Sequence, residues 1–141
     1  MIVRARLSDE PLDATRQLAE VAAADAGATA LFVGTVRDHD PGAAGEVVRL
    51  EYTAHPDANA VLEELARALD GEDVRISVSH RIGTLAVGDV AIVCAVSTAH
   101  RAQAFEICRE LVERVKAELP VWKKQIEADG SSSWVGLGRA L

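Results

Sequence analysis

An α+β fold with a largely antiparallel sheet and three helices is the class this chain predicts. Three observations lead there. Short apolar or alternating runs outnumber helical ones, several of them are joined by Gly-containing turns, and their order is βαββαββαββ. With 141 residues, 49% of them apolar, the chain suits one domain, 1–141, and can bury a core. Only five aromatics contribute, so that core must rest on Ala, Val, Leu and Ile.

Residues 2–7 read as a strand. Ser8 or Asp9 can cap a first helix with Pro11 in its first turn, running to about Asp25 with Leu12, Leu18 and Val21 inward and Gly27 ending it. Residues 28–37 form a strongly apolar strand, both faces at least partly buried, and 38–45 form a loop by their Gly, Pro and Asp content. Residues 47–53 alternate as a strand. A second helix spans roughly 57–69, with Ala60, Val61, Leu65 and Ala68 inward. Residues 73–80 are a strand, 81–89 turn through Gly83 and Gly88, and 90–97 are another strand. The third and longest helix covers about 101–118, because Pro120 bars its continuation. Strands at 121–127 and 133–137, joined by an Asp129-Gly130 turn, close the chain.

Composition excludes several functions. A net charge of −7 argues against a nucleic-acid surface, so any anion site must be a local concentration of cations. No apolar run approaches a membrane span, and the N-terminus has the pattern of a strand instead of a signal peptide. Cys94 and Cys108 show no metal-ligand spacing and read as reduced, buried thiols. A cytoplasmic protein with no metal site is the expectation.

The cations are unevenly chosen. Every lysine lies within nine positions, at Lys116, Lys123 and Lys124, against twelve scattered arginines. A lysine differs from an arginine in offering a compact ammonium whose pKa can fall. On the third helix Phe105, Cys108, Leu111, Val112, Val115 and Leu119 form one stripe, and Lys116 projects only ~20° from Phe105 on the wheel. At the stripe's edge a lysine either snorkels to water or sits partly desolvated. Beyond Pro120, alternation puts Lys123 and Gln125 on one face and Trp122, Lys124 and Ile126 on the other. The bend allows Lys123 to return towards Lys116.

Two further groups suit an anion. Ser97-Thr98-Ala99-His100-Arg101 lies where a buried strand meets the third helix, so free N–H groups, an imidazole and a guanidinium gather there. A plain helix start, with His100 capping or packing, fits the same residues. Gly34-Thr35-Val36-Arg37 ends a strand in an arginine, which Asp38 or Asp40 would otherwise pair on the surface. His80-Arg81 precedes a Gly-containing hairpin and reads mainly as structural. His39 and His55 read as solvated loop residues.

In sequence order, Phe32-Val33-Gly34-Thr35-Val36-Arg37, His80-Arg81-Ile82-Gly83, Val87-Gly88-Asp89, Ser97-Thr98-Ala99-His100-Arg101 with Ala104-Phe105, Lys116, Pro120-Val121-Trp122-Lys123-Lys124 and Trp134-Val135 form a pattern. It resembles the large, catalytic subunit of molybdopterin synthase, the MoaE family, over nearly the whole chain. The resemblance implies an α/β hammerhead fold and a homodimer with a small ubiquitin-like sulfur-carrier subunit at each end, making a heterotetramer. It implies conversion of cyclic pyranopterin monophosphate into molybdopterin, each dithiolene sulfur coming from the thiocarboxylate at the carrier's C-terminal Gly-Gly. No cofactor is implied.

By the same resemblance Lys116 and Lys123 match the two essential lysines, Lys116 serving the thiocarboxylate and Lys123 the phosphate. Arg37, His100 and Arg101 match substrate-binding positions, with Arg37 a candidate for supply from the neighbouring subunit. Thr35, Val36, Lys124 and Gln125 would line the same pocket. One departure stands out: the family usually has Glu where this chain has Gln125. An anion-sensing module built on His100-Arg101, and a docking subunit without activity, are the competing roles.

Overall fold

The computed structural model describes residues 1–39 and 45–135. Its described elements run β1 (Ile2–Ser8), α1 (Ala14–Glu20), β2 (Ala28–Thr35), β3 (Val47–Ala54), α2 (Ala58–Ala68), β4 (Arg75–Arg81), β5 (Gly83–Ala86), β6 (Val90–Thr98), α3 (Arg101–Glu118), β7 (Val121–Glu127) and β8 (Ser132–Val135). They form two four-stranded sheets, ordered β1-β4-β6-β2 and β5-β3-β7-β8. Among these pairings only β1 with β4 is parallel. The α+β, mostly antiparallel, three-helix expectation therefore holds.

Burial explains the patterns. β6 lies between β4 and β2 with α3 and α1 packed against it, so Ala91 to Thr98 are all buried and the strand reads as one apolar run. α3 lays Ala104, Cys108, Leu111, Val112 and Val115 on β6 and β2. Its last turn closes with the Leu119 amide donating to the Val115 carbonyl at 3.0 Å, and Leu119 is already extended before Pro120. Cys94 and Cys108 are free and buried in this layer, the Cys108 thiol 3.7 Å from the Cys94 carbonyl oxygen. No helix among the described residues is long and apolar enough to cross a membrane.

Four local expectations need correction. The first helix is short: Asp13, not Ser8 or Asp9, caps it by accepting from the Arg16 amide at 3.0 Å, and Pro11 lies outside. The helix stops at Glu20, well before Gly27. Gln17, donating to Ser77 Oγ at 3.2 Å, takes an inward place, while Leu18 is exposed.

In α2 the buried face is Ala58, Leu62, Leu65 and Ala66, and Ala60 and Ala68 face water. Alanines carry too little apolar area to set the helix phase, so the fully buried Leu62 sets it. A strand, β5, replaces part of the turn at 81–89, because Gly83 to Ala86 add to the edge of β3. β2 buries one face better than the other: as an outer strand it leaves Leu31 and Val33 exposed, and on α3 Phe105 is 65% exposed although it continues the apolar stripe. The expected final strand reached 137, whose last two positions lie outside the described residues.

Leu111 is fully buried beneath α3, so truncation leaves a cavity in the layer that seats the helix. Leu111→Ala is expected to lose about 2–5 kcal/mol in urea-induced unfolding.

Candidate active site

A cavity of about 230 Å³ opens where the two sheets meet, lined by Gly34 to Arg37 from the end of β2, His39, and side chains of β3, β4, β6, α3 and β7. Register sets its contents. β7 pairs with β3 so that Lys123 faces Tyr52 and Gln125 faces Leu50, and both β7 residues point into the cavity. Lys116 reaches it from the last turn of α3, across the Pro120 bend. The rim at Val36 is held by two backbone hydrogen bonds, its amide to Asp89 O at 2.9 Å and its carbonyl from the Gly88 amide at 2.8 Å. These follow a register shift between Gly34 and Thr35 that bends the strand end. Gly34 is required here: a Cβ would lie 2.6 Å from Ile92 Cγ2.

The charge in the cavity is one-sided. Arg37, Lys116 and Lys123 line it, and no carboxylate does among the described lining residues. Lys116 keeps contact with water, yet partial desolvation lowers its pKa, the Lys123 charge lowers it further, and Glu113 opposes the shift. That direction eases loss of its proton. Burial pushes the Tyr52 hydroxyl up to about 12, so it stays a neutral donor.

His80 is buried, and its ring meets Tyr52 edge-on with centroids 5.1 Å apart. Its Nδ1 lies 2.7 Å from the Arg81 carbonyl oxygen, which can only accept, so Nδ1 carries the hydrogen and Nε2 is left as an acceptor. Desolvation first, and the Lys116 charge to a lesser degree, depress its pKa to about 4 against the donation to Arg81.

The expected site residues divide. Thr35, Val36, Arg37, Lys116, Lys123 and Gln125 share this cavity within one chain, so Arg37 stands beside the lysines of its own subunit. Lys124 does not: it points to the other face of β7, its Nζ 5.7 Å from the Trp134 ring centroid. His100 and Arg101 do not either. They are exposed at the first turn of α3, about 22 Å along the helix axis from Lys116 at 1.5 Å per residue. His100 is the N-cap without a side-chain bond, and the Thr98 hydroxyl donates to its carbonyl at 2.6 Å. The helix start therefore leaves its amides open. Asp38 forms no ion pair with Arg37, and Asp40 lies outside the described residues.

Sequence reasoning missed His80, Tyr52 and His39 as lining groups. His80 was legible only as a strand-end histidine, since the approach of Tyr52 and Lys116 is tertiary. His55 behaves as expected, exposed and 3.7 Å from Asp57.

Two lysines and an arginine gathered in one cavity, with no carboxylate among its described lining residues, mark a candidate anion-binding site on an α+β scaffold. Comparison with known proteins makes this specific. Residues 7–118 match the family model described as MoaE protein, and the chain belongs to the MoaE family. The molybdopterin synthase catalytic subunit 1 of Mycobacterium tuberculosis is 41% identical over 134 residues, 93% of this chain and 89% of that one. The molybdopterin synthase catalytic subunit of Bacillus subtilis is 36% identical over 94% of this chain and 85% of its own. The crystal structure of molybdopterin synthase from Staphylococcus aureus superposes with a TM-score of 0.85 at 30% identity, covering 94% of this chain and 96% of that one.

His80 sets an acid limit. The folded state binds fewer protons than the unfolded chain between pH 6.5 and about 4, so its contribution is full above that window and is lost as pH falls through it. From pH 7 to 4.5 the chain is expected to lose roughly 2–3 kcal/mol from this group. Urea midpoints for the parent and His80→Asn at both pH values check it, the variant showing the smaller loss.

Proposed function

We propose that this chain is the catalytic subunit of a molybdopterin synthase, acting as one domain over 1–141 in the cytoplasm. It moves sulfur from the C-terminal thiocarboxylate of a small ubiquitin-like carrier to cyclic pyranopterin monophosphate, building the dithiolene. The observation that carries this is the convergence of Lys116 and Lys123 beside Arg37 in a cavity with no carboxylate among its described lining residues. An anionic substrate relieves the repulsion among these cations, and the attraction strengthens in a poorly hydrated site.

Roles follow from position. Lys123 and Arg37 hold the phosphate and oppose charge that develops on the leaving oxygen. Lys116, reachable from solvent and lowered in pKa, meets the incoming thiocarboxylate. The thiocarboxylate sulfur attacks the pterin carbon as a C–O bond there breaks. Water then attacks the acyl carbon, releasing the carrier as its carboxylate and leaving sulfur on the pterin. Lys116 steadies negative charge on the acyl oxygen in that second step and can exchange a proton there. The relatives' shared description as a catalytic subunit supports an assembly with a separate sulfur donor.

His100 and Arg101 enter the site from a second copy of the chain. β2 begins beside Thr98, next to the α3 start, and ends at Thr35, next to the lysines. Its outer edge is unpaired among the described strands and carries Leu31 and Val33, with Phe105 exposed on α3. Two copies packed antiparallel along that edge would set the helix start of each against the cavity of the other. The cations then surround the phosphate from both sides, in a homodimer that carries one donor subunit at each end.

Turnover with thiocarboxylated carrier and the cyclic phosphate, followed by detection of the dithiolene product, tests the reading directly. Lys116→Ala is expected to lower turnover by more than roughly a hundredfold, beyond the loss of one charge-assisted contact, with carrier binding retained. Near-parental turnover would remove Lys116 from the mechanism. Arg101→Ala is expected to weaken substrate binding in calorimetry. Co-refolding Lys116→Ala with Arg101→Ala should restore activity, because mixed dimers contain one site with neither defect. No restoration would place both residues in a single-chain site.

A further inference from the structure

Gln125 is the group in the cavity whose chemistry the cations do not explain. It is 1% exposed, it lines the cavity, and neither its Nε2 nor its Oε1 has a hydrogen-bond partner. Among the described residues no other buried side-chain nitrogen or oxygen is left in that state. Unpaired buried groups are costly, and here a donor and an acceptor sit side by side on one planar amide. No neighbouring side chain is bonded to it. Its cross-strand partners are the buried Leu50 on β3 and Ser133 on β8, and Val36, Val47 and Ile92 line the same cavity. Neither the Tyr52 hydroxyl nor His80 Nε2, which share that cavity, pairs with the amide.

The chemistry of this amide specifies the ligand edge that would satisfy it. A primary amide is satisfied at both ends by an N–H and a C=O lying adjacent on one edge of a ligand. A trans peptide sends its N–H and C=O to opposite sides, so no single peptide group of an extended protein tail can pair with both atoms. A lactam within a ring is locked cis and presents the two together. The pyrimidinone ring of a pterin has such an edge.

We propose that Gln125 is a specificity residue that reads the cis-lactam edge of the substrate heterocycle. It would seat the ring against the apolar wall with the phosphate end turned to Arg37, Lys116 and Lys123. This rests on the reading of the cavity as a pterin phosphate site. It adds a division of labour: the cations recognise charge, and a neutral amide recognises the ring. An amide in an apolar wall discriminates well, because a ligand lacking the matching edge leaves it unpaired again.

Gln125→Met keeps the side-chain length and removes both polar atoms. Calorimetric titration of parent and variant with cyclic pyranopterin monophosphate, and separately with inorganic phosphate, is read beside thermal melts. Affinity for the pterin should fall about ten- to a hundredfold, as expected for two lost hydrogen bonds. Phosphate affinity should be unchanged, and the melting temperature should hold or rise, since the free protein loses two unpaired buried groups. A second arm needs no variant to fold: methylating the pterin at its lactam nitrogen should weaken binding to the parent and cost much less in Gln125→Met.

Unchanged pterin affinity would overturn the proposal and leave water as the amide's only partner. An equal fall for both ligands would overturn it in favour of a role in shaping the cation cluster. Loss of carrier binding alone would assign the amide to the protein tail. A parent that binds phosphate but is blind to the pterin would overturn the functional reading itself, which no result confined to the variant can mimic.

Discussion

Two ammonium groups held against one another, with an arginine beside them and no carboxylate among the described lining residues, form the constraint on which this site depends. Partial desolvation first, and the Lys123 charge second, lower the pKa of Lys116 and so weaken its hold on its proton, with Glu113 opposing. The rest of the domain offsets that desolvation through burial of aliphatic side chains, most of them beneath α3 and around β6. An anionic ligand turns the same repulsion into binding free energy. A protein of net charge −7 thus carries a local concentration of cations without being basic overall.

The scaffold meets this constraint with three joints. Pro120 ends α3 in an extended residue and turns the chain directly into β7, so that Lys116 and Lys123 lie on either side of one bend. The register of β7 on β3 then aims Lys123 and Gln125 inward and sends Lys124 to Trp134. At the third joint the register shift after Gly34 carries Thr35, Val36 and Arg37 over the rim, at a point where only a glycine fits against Ile92. Each joint is local, but the cavity exists only where the two sheets bring all three together.

The inner surface divides chemically. The lining is of two kinds, the cations Arg37, Lys116 and Lys123, and apolar walls with the neutral groups Gln125, Tyr52 and His80. Burial keeps the latter two neutral, His80 by lowering its pKa and Tyr52 by raising it. A substrate with an ionic end and a planar heterocyclic end matches both halves. His100 and Arg101 stand outside this surface within one chain, and the polarity of β2 and α3 makes a second copy the natural way to bring them in.

Much of this was legible in the order of residues. The confinement of lysine to 116–124 marked the site, Pro120 marked the bend, and strand alternation separated Lys123 and Gln125 from Lys124. Boundaries were right at α3 and β7 and within a residue at α2, whereas the length of α1 and the buried face of α2 were missed because alanine-rich segments leave them weakly determined. What sequence could not contain was distance between remote segments. The family resemblance put His100 and Arg101 in one pocket with the lysines, but within one chain the length of the third helix separates them. Sequence reasoning passed over His80, Tyr52 and the unpaired amide of Gln125, whose meaning lies in neighbours from other strands. Sequence alone determined which groups are available and the local direction each takes, because backbone periodicity is a short-range property. Tertiary structure decided which of them share one cavity, because that depends on how two sheets and a helix close around a common volume.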